Sequence, residues 1–284
     1  MASLLPAAPP KTKMPRHSCD CHMHAYGDPA QYPASSDSPF KPVAGGNIDT
    51  YLELSRILGL ERAVVVQPSA YGTDNRCTLD AAKRMGNAAR AVVVVDDSVS
   101  DAELERLTAS GARGLRFFML PGGVLGWDVL PRLAARVAEF GWHVQLQMDG
   151  RLLAEREDEL GRLPCRLVID HNGKFLQPPS LGDVGVKSLC RLLDGGEVWL
   201  KTSGVYETSM EGPPHYSDVA ALARKLIGKF PQRCVWATNW PHPSKPGDPP
   251  DDSLLVDLLA EWCGSAAILE RILVDNPEAL YGFS

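Results

Sequence analysis

The strongest constraint on the fold of this chain is a rhythm. Short apolar runs alternate with segments of helical spacing, eight times over. The runs cover 18–24 (SCDCHMH), 62–69 (RAVVVQPS), 89–97, 112–120, 142–149, 165–171, 197–204 and 233–240. The helical segments between and after them cover 49–60, 78–86, 100–111, 127–141, 151–163, 186–196, 215–230 and 251–264, with a last one over 265–276. Most of the runs are continuously apolar and β-branched rather than alternating, which suits parallel strands buried on both faces. Eight strand–helix units in order predict an α/β fold, a single (β/α)8 TIM barrel with an extra C-terminal helix. The competing architecture is an open doubly wound sheet. Against it, no GxGxxG follows the first strand.

A barrel of this kind takes roughly 250 residues, so the 284 residues are read as one domain over 18–284. Residues 1–17, interrupted by prolines and without a basic leader before the apolar stretch, are read as a flexible arm and not a signal peptide. The net charge of -6 argues against a nucleic-acid partner. No run of about 18 apolar residues occurs, so no membrane span is expected. Seven cysteines without a CxxC pair read as reduced thiols, hence a cytoplasmic protein. Monomer and homo-oligomer both remain open. The stretch 25–48, rich in Pro, Ser and Gly, is too long for an idle connection and reads as a lid or binding loop.

In a barrel, chemistry gathers at the carboxyl ends of the strands. The first tip carries His22 and His24, two apart and so expected on one side of the strand. The second carries Gln67, Ser69, Tyr71, Asp74 and Asn75, and the fourth Arg116. The fifth carries Gln147 and Asp149. The sixth carries Asp170, His171 and Lys174, the seventh Lys201, Ser203 and Tyr206, and the eighth Asn239 and His242. Each has an ordinary alternative: a satisfied structural histidine, an ion-paired arginine, a YGTDN turn with a helix cap. Polar residues at nearly every tip, above apolar strand interiors, point instead to an active site at this rim.

The motifs DCHMH, VVVQPSAYGTDN, GARGLRF, VIDHNGK, ATNWPH and NPEALY resemble the amidohydrolase superfamily across most of the chain. LPGG (120–123), LKTSGVYETS (200–209) and TNWPH are similar to its branch of 2-pyrone-4,6-dicarboxylate lactonases and D-galactarolactone isomerases. The resemblance implies a (β/α)8 barrel, attack on a lactone carbonyl, and catalysis by His22, His24, His171 and the residue at 239. It implies Arg116 as a carboxylate anchor, with a second arginine of the lactonases absent here. The substrate set expected around them is Gln67, Ser69, Tyr71, Asp74, Asn75, Arg116, Gln147, Lys174, Lys201, Tyr206 and His242. In this branch no metal is required. The alternative is zinc on His22, His24 and His171.

Where the family has an aspartate at the eighth tip, this chain has Asn239. A positioned carboxylate activates water as a general base, an effect of about 10²–10⁴ in rate. An amide cannot take that proton. A substrate hydroxyl attacking its own ring carbonyl needs orientation more than an activated water. The expectation is therefore isomerisation of a dicarboxylic (aldaric) acid lactone. His22 and His24 would polarise the carbonyl, and His171 would shuttle the proton. The alternatives are a metal-independent lactonase, a metal-dependent hydrolase or decarboxylase, and a barrel that binds an anionic ligand without turnover.

Overall fold

In the computed structural model, which describes residues 3–283, eight parallel strands form one sheet in sequence order. They are β1 (Cys19–Met23), β2 (Arg62–Val66), β3 (Ala89–Val93), β4 (Ala112–Phe118), β5 (His143–Gln147), β6 (Leu167–Ile169), β7 (Val198–Thr202) and β8 (Cys234–Trp236). Backbone hydrogen bonds bridge the seam between β1 and the chain after β8: Asn239 N to His22 O and His24 N to Trp240 O, both 2.8 Å. The helices α1 (Ile48–Leu58), α2 (Arg76–Met85), α3 (Asp101–Ala109), α4 (Leu130–Ala138), α5 (Leu153–Leu160), α6 (Val184–Asp194), α7 (Ser217–Lys229) and α8 (Asp252–Cys263) follow their strands.

Both faces of each strand are buried, which is why the runs do not alternate. Cys19, Val64, Val66, Val92, Val168, Trp199 and Val235 pack with Leu280, Tyr281 and Phe283 in one apolar cluster. Ala63, Val65, Ala91 and Val93 lie in the other, which also holds the buried helix residues. On α4 the buried residues Leu130, Leu133, Ala134 and Val137 recur at helical spacing and make one inward stripe.

The predicted elements recur with shifted ends, each for a local reason. The first helix begins one residue before the expected 49, because the Asn47 side chain caps it by accepting from Thr50 N at 3.1 Å. The last helical segment does not stop at 276. It runs through α9 (Ala266–Glu270), a π-turn at Arg271–Asp275, and α10 (Asn276–Tyr281). Pro277 reads as a stop, but it sits in the first turn of α10, where a missing N–H costs little. The eighth strand ends at Trp236 rather than 240, because Thr238 turns to clamp Asp20 and Asn239 adopts a φ of +61°.

Residues 3–17 run beside α8. Thr12 N donates to Asp257 at 2.8 Å, Ser253 donates to Ala8 O at 2.6 Å, and the Trp240 indole donates to Leu4 O at 3.0 Å. Residues 25–47 form turns and coil without a strand or helix. Among the described residues no helix is long and apolar enough to cross a membrane.

Candidate active site

Above the apolar plug the barrel interior turns polar. The first tip shows how. The β1–β2 register shifts between Asp20 and Met23, and a bulge of this kind re-aims the side chains that follow it. The Asp20 carboxylate accepts from His22 N at 3.1 Å and from Thr238 Oγ1 at 2.5 Å, fixing the bulge and the seam together. His22 is thereby driven into the interior, where it is fully buried.

Hydrogen bonds decide the tautomers of the first two imidazoles. His24 Nδ1 lies 2.8 Å from the Val66 carbonyl, so it must donate, and its Nε2 must accept. The donor to that Nε2 is His22 Nε2, 3.2 Å away. His22 Nδ1 then accepts, and it faces Lys201 Nζ and Gln145 Nε2, each at 3.3 Å. Lys201 also donates to Gln145 Oε1 at 2.6 Å and stands 3.5 Å from Asp170 Oδ1. Burial opposes the charge on Asp170, but the Lys201 ammonium outweighs it and holds the carboxyl well below the usual range. Burial and the same ammonium hold His22 far below an ordinary histidine. Burial also lowers His24 to about 3 and His171 to about 4, so all three imidazoles are neutral at pH 7.

His171 follows β6 in a backbone of positive φ. Its Nδ1 lies 2.9 Å from Ser203 Oγ. Gly204 makes that packing feasible, since a Cβ there would sit 2.8 Å from the His171 ring. Seven of the described non-glycine residues have positive φ, and five of them, His171, Asn172, Lys174, Asn239 and His242, cluster here. Strain concentrated in this way marks a site that the surrounding fold holds in place.

The far wall is built around Asn239. Its Nδ2 donates to Tyr206 Oη at 2.8 Å and to Glu207 Oε1 at 3.3 Å. Glu207 settles which way the amide faces, because a carboxylate accepts and never donates when ionised. The amide oxygen is left for the cavity. Tyr206 Oη then donates to His242 Nδ1 at 2.9 Å, and His242 Nε2 donates to Asp252 at 3.1 Å. A four-member chain thus braces the amide from α8. Burial opposes ionisation of Glu207, but Lys174, its ion-pair partner, and His171 outweigh it and bring the carboxyl down to about 2.

These groups enclose a cavity of about 170 Å³ at the carboxyl ends of the strands. Its lining includes His24, Ser69, Arg116, Gln147, His171, Lys174 and Asn239, all expected from the sequence. Arg116 donates to Gln67 O at 2.8 Å, and its Nε has no partner among the described residues. Eight expected residues do not line the cavity. His22 and Lys201 lie beneath it, in the buried polar layer. Tyr206 and His242 stand behind Asn239. Gln67 donates to Gly72 O and Asp74 O, and Asn75 donates to Val94 O, so both brace loops. Asp74 pairs with Arg76, and Tyr71 accepts from Gly27 N. Because Lys201 and Val66 claim the outer nitrogens of His22 and His24, neither ring has an N–H free to polarise a carbonyl in the cavity. Sequence reasoning passed over Glu207, Ser244, Gln145 and, from the 25–48 stretch, Tyr26, Phe40 and Lys41.

A catalytic zinc ion takes three protein donors around one point, with water in the fourth place, and a structural one takes four. His22, Asp170 and His171 have donor atoms within 4.8 Å of one another. The Lys201 ammonium already stands against two of those three. The second set, His22, His24 and His171, meets the Asn239 amide where a carboxylate would complete it, and an amide is the poorer zinc ligand. The first set is thus occupied by an ammonium, and the second lacks a carboxylate partner.

The rim site, the eight parallel strands and the paired histidines at the end of β1 fit an amidohydrolase, and residues 19–283 match the amidohydrolase family model. The chain belongs to that family. It is 37% identical to a D-galactarolactone isomerase of Agrobacterium fabrum over 279 residues, which is 97% of this chain and 94% of the relative. It is 35% identical to a 2-pyrone-4,6-dicarboxylate hydrolase of Comamonas testosteroni, over 96% of this chain and 92% of the relative. A crystal structure from Agrobacterium tumefaciens superposes with a TM-score of 0.93 at 36% identity, over 100% of this chain and 99% of that one.

Proposed function

We propose that the protein is a metal-independent lactone isomerase acting on the lactone of an aldaric acid, D-galactarolactone being the first candidate. The observation that carries this reading is the orientation of Asn239. Its nitrogen is held by Tyr206 and Glu207, so the group facing the cavity at the eighth tip is a neutral oxygen and not a base.

In the proposed reaction Arg116 holds the free carboxylate of the substrate. The Asn239 oxygen accepts from a neighbouring ring hydroxyl and so orients the attacking one toward the lactone carbonyl. A C–O bond forms between that hydroxyl oxygen and the carbonyl carbon, and His171 takes the hydroxyl proton. The Lys174 ammonium, with donors beyond its bond to Glu207, faces the resulting oxyanion. The tetrahedral centre collapses, the original ring C–O bond breaks, and His171 returns the proton to the departing oxygen. No water is consumed and the composition is unchanged. With a pKa near 4, His171 is a weak base toward bulk water. An attacking group held beside the carbonyl compensates through high effective concentration.

The test is a proton NMR time course on D-galactarolactone with enzyme dialysed against a strong chelator. Interconversion of the two ring forms ahead of any opened diacid supports the reading. Opened diacid as the first product, or activity that returns only on adding zinc, overturns it.

A further inference from the structure

The cavity wall carries one anion, Glu207, that the sequence did not single out. Three cations line the cavity with it: Arg116, Lys174 and Lys41. Lys41 is exposed at the mouth. Lys174 is ion-paired with Glu207, and both side chains are at most 8% exposed. Arg116 alone is a buried cation with no anionic partner among the described residues. The buried wall therefore neutralises one carboxylate of a ligand, not two.

We propose that Glu207 is a specificity-determining residue: it admits lactones bearing one carboxylate and free hydroxyls, and turns away flat lactones bearing two carboxylates. This rests on the lactone reading of the site but not on isomerisation. A second carboxylate on the ring would meet Glu207, or would have to take Lys174 from it, and juxtaposed like charges are a standard device against wrong partners. A hydroxyl fares differently. Glu207 Oε1 accepts from Ser244 at 2.6 Å and from Asn239 at 3.3 Å, and Oε2 accepts from Lys174. A carboxylate has about four acceptor sites, so one remains for a sugar-type hydroxyl. A pyrone ring has no hydroxyl to donate. Galactarolactone has one free carboxylate and several hydroxyls, whereas 2-pyrone-4,6-dicarboxylate has two carboxylates.

Calorimetric titration of both compounds into the wild type and into Glu207→Gln tests this. The wild type is expected to prefer galactarolactone by about 100-fold or more. Glu207→Gln is expected to tighten the dicarboxylate by about tenfold or more and to weaken galactarolactone. An unchanged preference overturns the proposal, as does a wild type that binds both equally. If Glu207→Gln does not fold, Lys174→Met leaves Glu207 without its cation and must widen the preference; an unchanged ratio again overturns it. Galactarolactone is first brought to its equilibrium of ring forms with enzyme, so that turnover adds no net heat to the titration. A wild type with the expected preference that never converts galactarolactone sinks the isomerase reading alone.

Discussion

Replacing Asn239 with Asp would, by simple analogy with hydrolases, install the missing base. The geometry predicts a weaker result. The amide nitrogen that would become a carboxylate oxygen lies 3.3 Å from Glu207 Oε1. Two unit charges at that separation repel by about 5 kcal/mol at an effective dielectric constant of 20, from 332/(20 × 3.3). At 1.36 kcal/mol per pKa unit, that raises the new carboxyl by up to about 3–4 units. It would share a proton with Glu207 near neutral pH, as paired carboxylates do. Asn239→Asp alone should therefore gain little hydrolysis at pH 6 and more above pH 8. The double variant Asn239→Asp/Glu207→Gln should gain about 10²-fold or more at pH 7. The assay is the initial rate of diacid release, followed by NMR across pH 5–9. Full hydrolysis by the single variant, flat from pH 5 upward, would refute the coupling. A double variant no better than wild type would refute the account of position 239 itself.

Three further outcomes follow from the same geometry. Arg116→Met removes the only unpaired buried cation at the cavity among the described residues and should lower kcat/KM for an anionic lactone by about 10–150-fold, the worth of a charged hydrogen bond, as measured by steady-state kinetics. Lys201→Met leaves Asp170 without its cation deep in the barrel. Urea unfolding should show a loss of about 3–5 kcal/mol, and a loss under 1 kcal/mol would contradict the buried pair. Burial holds His24 and His171 near 3 and 4, below an unfolded value of about 6.5. Their contribution to stability is thus complete above pH 6.5 and is lost as pH falls toward 4. Unfolding free energy should drop by about 1.5 kcal/mol per imidazole between pH 6.5 and 5, and kcat should show an acid limb near pH 4 rather than 6.5.

The barrel was legible because a strand covered on both faces must be written in continuous apolar residues, as 63–66 of β2 and all of β8 are. The rim was legible because a polar side chain at the inner end of an apolar strand is costly to bury unless it finds a partner or faces a cavity. What lay outside that logic was misplaced or missed. His22 enters the interior through a bulge held by the Asp20 side chain, a tertiary feature invisible to strand parity. Lys201 shares parity with buried Trp199, yet it reads from the sequence as a substrate-binding group at the rim until Asp170 and Gln145 are seen across the barrel, holding it beneath the cavity. Glu207 sits in a 3-10 turn after β7, where period-two reasoning no longer says which way a side chain faces. Tyr206 and His242 read from the sequence as groups that touch the ligand. They stand one step back and reach the cavity only through Asn239, a distinction that needs coordinates.

The most direct measurement of the central claim is isotopic. D-galactarolactone incubated with the enzyme in water enriched in ¹⁸O, and analysed by mass spectrometry at partial conversion, reports which oxygen attacked the carbonyl. The account predicts isomerised lactone without label, in excess over labelled diacid by about 100-fold or more. Label entering the product at every turnover would show that water is the nucleophile, and the reading of Asn239 would be wrong.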